Sequence, residues 1–209
     1  MAESSSAATD SELGKRQRNA LRNREAILIA AREVFCEIGY EVATVRDIIR
    51  RTTLASGTFY NYFPDKQTIL REIIEEFTTR LRQRVHEMRA RATTLEELLR
   101  VAYLATFQSY AEDETVVRLM TRNEGAIREL VMSLVLKPAV EELAEDLRQK
   151  SREGIVPPVD IDYVSRAGVA IAAEVGSGML EREPMDVEGA TEFATQLMLG
   201  GIERLTRSL

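Results

Sequence analysis

Apolar residues recur at helical rather than strand spacing along nearly the whole chain. Between Arg24 and Tyr40, Ile27, Ala30, Ala31, Val34, Phe35 and Ile38 follow a period near 3.6, and Gly39 stands where a helix-ending glycine is expected. A second, shorter stripe follows in Val45, Ile48 and Ile49. Thr44 precedes it with Asp47 three residues on, the pattern of a capping box, and Asp47 places negative charge at the positive end of the helix dipole. Arg46, Arg50 and Arg51 lie off the apolar stripe, on surfaces that stay wet or face phosphate. Thr52 and Thr53 weaken the helix, and Leu54 plugs the turn that follows. A further short helix is predicted to start near Ala55 or Ser56 and to end at Pro64. Phe59 and Phe63, four apart, point to the core, while Tyr60, Asn61 and Tyr62 sweep the other face. Two helices joined so tightly form a helix-turn-helix, whose second helix can enter the major groove of DNA.

Beyond Lys66 the pattern stays helical, with no strand alternation and no internal repeat. One helix is predicted from Asp65 to about Ala90, at ~1.5 Å per residue long enough to link two domains. Thr94 with Glu97 repeats the capping-box pattern and opens a helix to about Glu112. Helices over Glu114–Arg122 and Ala126–Arg152 follow, the latter kinked or split at Pro138. The last two are predicted over Ile161–Glu181, capped by Asp160, and Val187–Arg207, capped by Asp186. The fold class is therefore all-α. Three divisions are expected: a small, polar, disordered tail over residues 1–14, a helix-turn-helix domain with a basic N-terminal arm over 15–66, and a helical domain over 67–209.

Charge changes this picture. The net charge of −6 is unlike a nucleic-acid binder until it is divided. Residues 15–66 hold ten Lys and Arg against six Asp and Glu, giving +4, and the acidic excess lies on either side. Positive charge thus sits where DNA is expected, a polarity that orients the protein. Within it, Lys15, Arg16, Arg18, Arg22 and Arg24 form a basic arm. The arm either reaches the adjacent groove and phosphates or makes a solvated start to the first helix.

The chemistry that catalysis needs is missing. There is one histidine, His86, with no Glu three residues before it, and one cysteine, Cys36. Such a chain has too few ligands for the usual metal sites and no paired Glu-x-x-His for a di-iron bundle. There is no phosphate-cradling glycine loop. An enzyme is not expected, nor a metal or cofactor. Cys36 reads as a packing residue rather than a redox switch. No apolar run reaches the ~18 residues of a membrane span. The N-terminus shows no apolar signal region, so a cytoplasmic protein without membrane contact is expected.

The stretch AILIAAREVFCEIGYEVATVRDIIRRTTLASGTFYNYFPDKQTIL, Ala26 to Leu70, about a fifth of the chain, resembles the DNA-binding domain of the TetR family of bacterial transcriptional regulators. Phe35, Gly39-Tyr40, Thr44-Val45, Ile48, Gly57-Thr58, Tyr60, Tyr62-Phe63 and Lys66 fall in its register. The resemblance implies that Thr44 and Arg46 hold backbone phosphate. It puts Ser56, Gly57, Thr58 and Tyr60 at the groove-facing start of the recognition helix. It also implies that Asn61 and Tyr62 reach flanking phosphates and that Lys66 contacts phosphate. Two departures stand out: Thr53 replaces a turn glycine, and Ala55 replaces a capping serine, a loss typically worth ~1 kcal/mol.

The same resemblance implies a two-fold homodimer through the last two helices, reading a palindromic operator with heads ~34 Å apart. Ala167, Gly168, Ala170, Ala172, Ala173, Gly176 and Gly178 crowd the first of these helices with small residues. It also implies a small-molecule effector in the C-terminal domain. The candidate lining is Tyr103, Phe107, Tyr110 and Met132, with Phe77, Met120, Leu136 and Tyr163. Gln108, Arg122, Asn123 and Glu174 are the candidate polar groups. Such a lining suits an apolar or amphipathic effector. The expected function is a transcriptional regulator, a repressor released from its operator by its effector. The alternative is a ligand-independent DNA-binding structural or partner-recruiting protein, which lacks a cavity.

Overall fold

The computed structural model describes residues 3–207, with side chains described from Gly14 onward except that of Glu124. The described residues contain ten α-helices and no strand: α1 (Glu3–Ile38), α2 (Val45–Arg50), α3 (Ser56–Phe59), α4 (Lys66–Ala90), α5 (Leu95–Glu112), α6 (Glu114–Arg122), α7 (Glu124–Val131), α8 (Lys137–Arg152), α9 (Ile161–Leu180) and α10 (Val187–Thr206). A π-helical turn, Met132–Leu136, joins α7 to α8. The chain divides into two compact units between Ile73 and Ile74, inside α4.

In the N-terminal unit, α1 is longer than the sequence pattern implies. Residues 3–14, expected to be a disordered tail, continue the helix, and Met1 and Ala2 lie outside the described residues. No proline interrupts this stretch, and Ala, Glu and Leu carry helix propensity through its serines. The basic arm is correspondingly the exposed flank of a helix: Lys15, Arg16, Arg18 and Arg22 lie on its solvent face. Gly39 ends α1 at φ 84°, a left-handed conformation that a side chain disfavours. Ile27, Phe35, Ile48, Phe59, Phe63, Ile69 and Leu70 are fully buried together.

The C-terminal unit is built around α5, which packs against both α9 and α10. Asp160 and Asp186 cap α9 and α10 through the Tyr163 and Gly189 amides, at 3.1 and 2.8 Å. Thr94 caps α5 through the Glu97 amide at 3.1 Å, but the Glu97 carboxylate turns to the Thr93 amide and hydroxyl instead of closing the box. At Pro138 the helical path is not broken: α7 runs into α8 through the π-helical turn, with αR backbone at Val131, Leu136 and Lys137. The preceding turn widens to π spacing, which absorbs the donor and the space that proline removes.

The glycines of the last two helices separate into two kinds. A Cβ on Gly176 would meet the Tyr110 ring at 2.6 Å and the Phe107 ring at 3.2 Å, so this glycine is the slot that lets α9 close on α5. Gly178, Gly200 and Gly201 would meet nothing within 4 Å. Gly176→Ala is expected to destabilise the protein by roughly 1–3 kcal/mol through overpacking, read by urea denaturation.

Candidate DNA-binding face and effector cavity

The helix-turn-helix is held by local chemistry that the sequence announces. Thr44 and Asp47 close a complete capping box at the start of α2: the Thr44 amide donates to the Asp47 carboxylate at 3.0 Å, and the Asp47 amide to the Thr44 hydroxyl at 3.3 Å. The Thr44 hydroxyl also donates to that carboxylate at 2.5 Å, and these bonds hold the Asp47 carboxyl below the usual range. Both Thr44 donors are thus engaged in the cap that opens α2. Arg51 at the other end of α2 is likewise taken, pairing with Glu33 and Glu37 of α1.

The turn itself needs no left-handed residue. Thr52 supplies the closure that glycine would give, its hydroxyl donating to the Ile49 carbonyl at 2.9 Å and accepting the Leu54 amide at 3.2 Å. Ala55 stands at the N-cap of α3 without a side-chain hydrogen bond, and Ser56 is the first helical residue rather than a replacement cap.

Around this scaffold the predicted contact residues fall into three groups. Arg46, Ser56, Gly57, Tyr60 and Asn61 are exposed, with Tyr60 at 60% and seated edge-on against the buried Phe59 ring. Thr58 and Tyr62 are half-buried, and the Tyr62 hydroxyl accepts from Asn23 at 3.2 Å. Lys66 differs from expectation. Its ammonium donates to the carbonyls of Tyr40, Glu41 and Ala43 at 2.8, 2.9 and 2.8 Å and lies 4.7 Å from the Tyr40 ring centre. An ammonium has three donors, and here all three of those of Lys66 clasp the α1–α2 loop. Arg24 is also structural, pairing with Glu72 and lying over the Phe63 ring.

The C-terminal unit holds a cavity of about 110 Å³, walled by α4, α5, the π-helical turn, α8, α9 and α10. Its wall is mainly aliphatic, from Val85, Leu98, Leu99, Leu143, Leu147, Val164 and Met198. Of the predicted effector residues, Tyr103 and Tyr110 line it, as does Leu136. Burial pushes both phenols up, Tyr110 to about 12, so both keep their protons in neutral solution. The Tyr103 hydroxyl points to the Gly168 carbonyl at 3.4 Å.

The other predicted effector residues are elsewhere. Phe107 is buried behind Tyr103, stacked on it at 5.9 Å. Phe77 packs against Tyr110, and Met120 is buried outside the cavity wall. Gln108 accepts from Arg84 at 2.9 Å. Asn123 is buried but turns back to the Leu119 carbonyl of α6 at 2.8 Å. Arg122, Met132, Tyr163 and Glu174 are exposed. The polar groups that do line the cavity are Arg82, Arg89, Glu142 and Thr106. Arg89 had a signal in the sequence: it occupies the next slot of the stripe Phe77, Leu81, Val85, where another apolar residue is expected.

Three comparisons with known proteins bear on this arrangement. The model of the family described as bacterial regulatory proteins, tetR family, matches residues 27–73, the segment that carries the capping box, the turn and the exposed α3. The helix-turn-helix segment is thus of the TetR-family kind. Full-length relatives agree. The HTH-type transcriptional regulator UidR of Escherichia coli (strain K12) is 26% identical over 192 residues, 89% of this chain and 95% of the relative. The HTH-type transcriptional activator FasR of Mycolicibacterium smegmatis is 27% identical over 202 residues, 93% and 92% of the two chains. Among solved structures, the transcriptional regulator FadR from Bacillus subtilis in complex with stearoyl-CoA shares the fold. Its TM-score is 0.73 at 22% identity, over 85% of this chain and 98% of that one. The chain is thus a DNA-binding transcriptional regulator, all-helical, with an N-terminal helix-turn-helix and a C-terminal helical domain. No helix among the described residues is long and apolar enough to cross a membrane.

Proposed function

We propose that the protein is a homodimeric repressor that grips a palindromic operator and is released by a small, largely apolar effector bound in the C-terminal cavity. The observation that carries this reading is that cavity: an apolar void in a helical unit whose wall includes the later turns of α4, the helix that begins in the N-terminal unit. A void lined by aliphatic groups forfeits dispersion contacts, a cost that an apolar ligand recovers. A protein of the same fold binds stearoyl-CoA, which is in keeping with an apolar chain as occupant. The effector would favour a head arrangement that does not fit the operator, shifting the population off DNA.

The contact face is Arg46, Ser56, Gly57, Thr58, Tyr60 and Asn61, with Thr44, Tyr62 and Lys66 holding it in place. Tyr60→Ala is expected to weaken specific binding about tenfold or more while leaving the dimer intact and changing melting little, because the side chain is exposed and touches the core only at the edge of the Phe59 ring. The test is a gel shift on the intergenic DNA upstream of the protein's own reading frame, against nonspecific competitor at physiological salt. A competitor-resistant complex dissociated by apolar small molecules supports an effector-released repressor. A complex that forms only with ligand would make the protein an activator or co-repressor-dependent regulator. A complex indifferent to any ligand would favour the ligand-independent, partner-recruiting alternative.

A further inference from the structure

The least expected side chain in the C-terminal unit is Arg89. It lies on the cavity wall at 5% exposure, 2.9 Å from the Asp146 carboxylate through Nε. That approach is a charge contact only: neither Nε nor Asp146 Oδ2 has a hydrogen-bond partner. A guanidinium carries five donors in a planar fork, and a buried fork without acceptors is costly. Burial accordingly pushes the Arg89 pKa down, against the opposing pull of Asp146 and Glu142.

The neighbouring pair behaves differently. Arg82 donates through Nε to Glu142 at 2.8 Å, is half-buried, and satisfies its partner. His86, on the solvent side, sits 3.4 Å from the other Asp146 oxygen and is 63% exposed. The cavity therefore has a long aliphatic wall and, at α4, a buried guanidinium whose Nε has no hydrogen-bond partner.

From this we infer that the cavity takes an aliphatic carboxylate, its alkyl chain among Leu98, Leu143, Leu147 and Val164 and its head forked onto the Arg89 guanidinium. The carboxylate is the acceptor whose two oxygens match the fork bidentately. A hydroxyl offers one oxygen and no charge, and a hydrocarbon leaves Arg89 as it is. This inference rests on the effector-cavity reading but names a head-group receptor, which that reading does not.

The test is calorimetric titration of the full-length protein with hexanoate, octanoate and decanoate, beside the matched n-alcohols and octanoyl-CoA. The carboxylates are expected to bind at least tenfold more tightly than the alcohols, with affinity rising about fourfold per methylene until the cavity is full. Arg89→Met is expected to abolish that preference while leaving alcohol binding intact. Because Arg89→Met strands Asp146, the double variant Arg89→Met/Asp146→Leu, which removes both charges, is measured alongside and is expected to behave the same way. Equal binding of alcohols and carboxylates, binding of the thioester alone, or an undiminished carboxylate preference in the double variant would overturn the assignment. A carboxylate that binds through Arg89 yet leaves the operator complex intact upholds this site and instead sinks effector release.

Discussion

Substituting Phe193 and Leu197 together by glutamate is expected to give a folded monomer whose operator affinity is lower by a factor of a hundred or more. Both side chains are exposed, at 58% and 51%, on one face of α10, which continues through Gly200, Gly201 and Leu205. On α9, Tyr163, Ala167, Ala170, Glu174 and Gly178 fall on a matching exposed stripe. The glycines of these stripes have open space where a Cβ would stand, which is what close approach of a second helix pair requires. An isologous four-helix contact repeats each substitution twice, and four carboxylates without partners cannot be buried together. Since neither side chain supports the protomer's own core, helicity is expected to be unchanged. Loss of the second head removes the avidity that two half-sites provide. Light scattering reads the assembly and a gel shift reads the affinity. A double variant that stays dimeric and binds normally would place the dimer contact elsewhere.

What could be read ahead of the structure divides along a physical line. Features written within a few residues were legible: the Thr44–Asp47 box, the missing cap at Ala55, the buried pair Phe59 and Phe63, and the aspartates that open α9 and α10. Each depends on one turn of backbone and its own side chains. Features needing partners far along the chain were not. The acceptors that consume the Lys66 ammonium lie 23 to 26 residues upstream, and nothing near Lys66 in sequence signals them. A resemblance transfers a position, not the hydrogen bonds its side chain makes.

The cavity wall is hard to read for a different reason. Tyr103 and Phe107 on α5 are one turn apart and share the aromatic pattern, yet only the first reaches the void. Closeness in sequence to those aromatics points to Gln108 and Asn123, both engaged with neighbours. Arg89 is marked in the sequence only by its slot in the stripe Phe77, Leu81, Val85, and the packing of α8, with Asp146, is what shows its charge to be buried.

Lys66→Ala is expected to destabilise the N-terminal unit by about 2–3 kcal/mol, and to weaken operator binding only as far as the unit unfolds. Three charge-assisted hydrogen bonds join the first residue of α4 to the loop between α1 and α2. Bonds to a charged group are typically worth ~1.5–3 kcal/mol each. Two of these bonds are only part-buried and the third is exposed, so water recovers much of that sum on removal. The alternative role, phosphate contact, makes the opposite pair of predictions. A lost phosphate contact leaves melting untouched and lowers the slope of log affinity against log salt by ~0.9. Melting temperature and salt slope measured together therefore separate the two. A drop in melting with an unchanged slope identifies a clasp, whereas unchanged melting with a shallower slope identifies a phosphate ligand and means the ammonium leaves its three carbonyls on DNA. Arg46→Ala supplies the internal standard: its exposed side chain predicts the shallower slope and no change in melting.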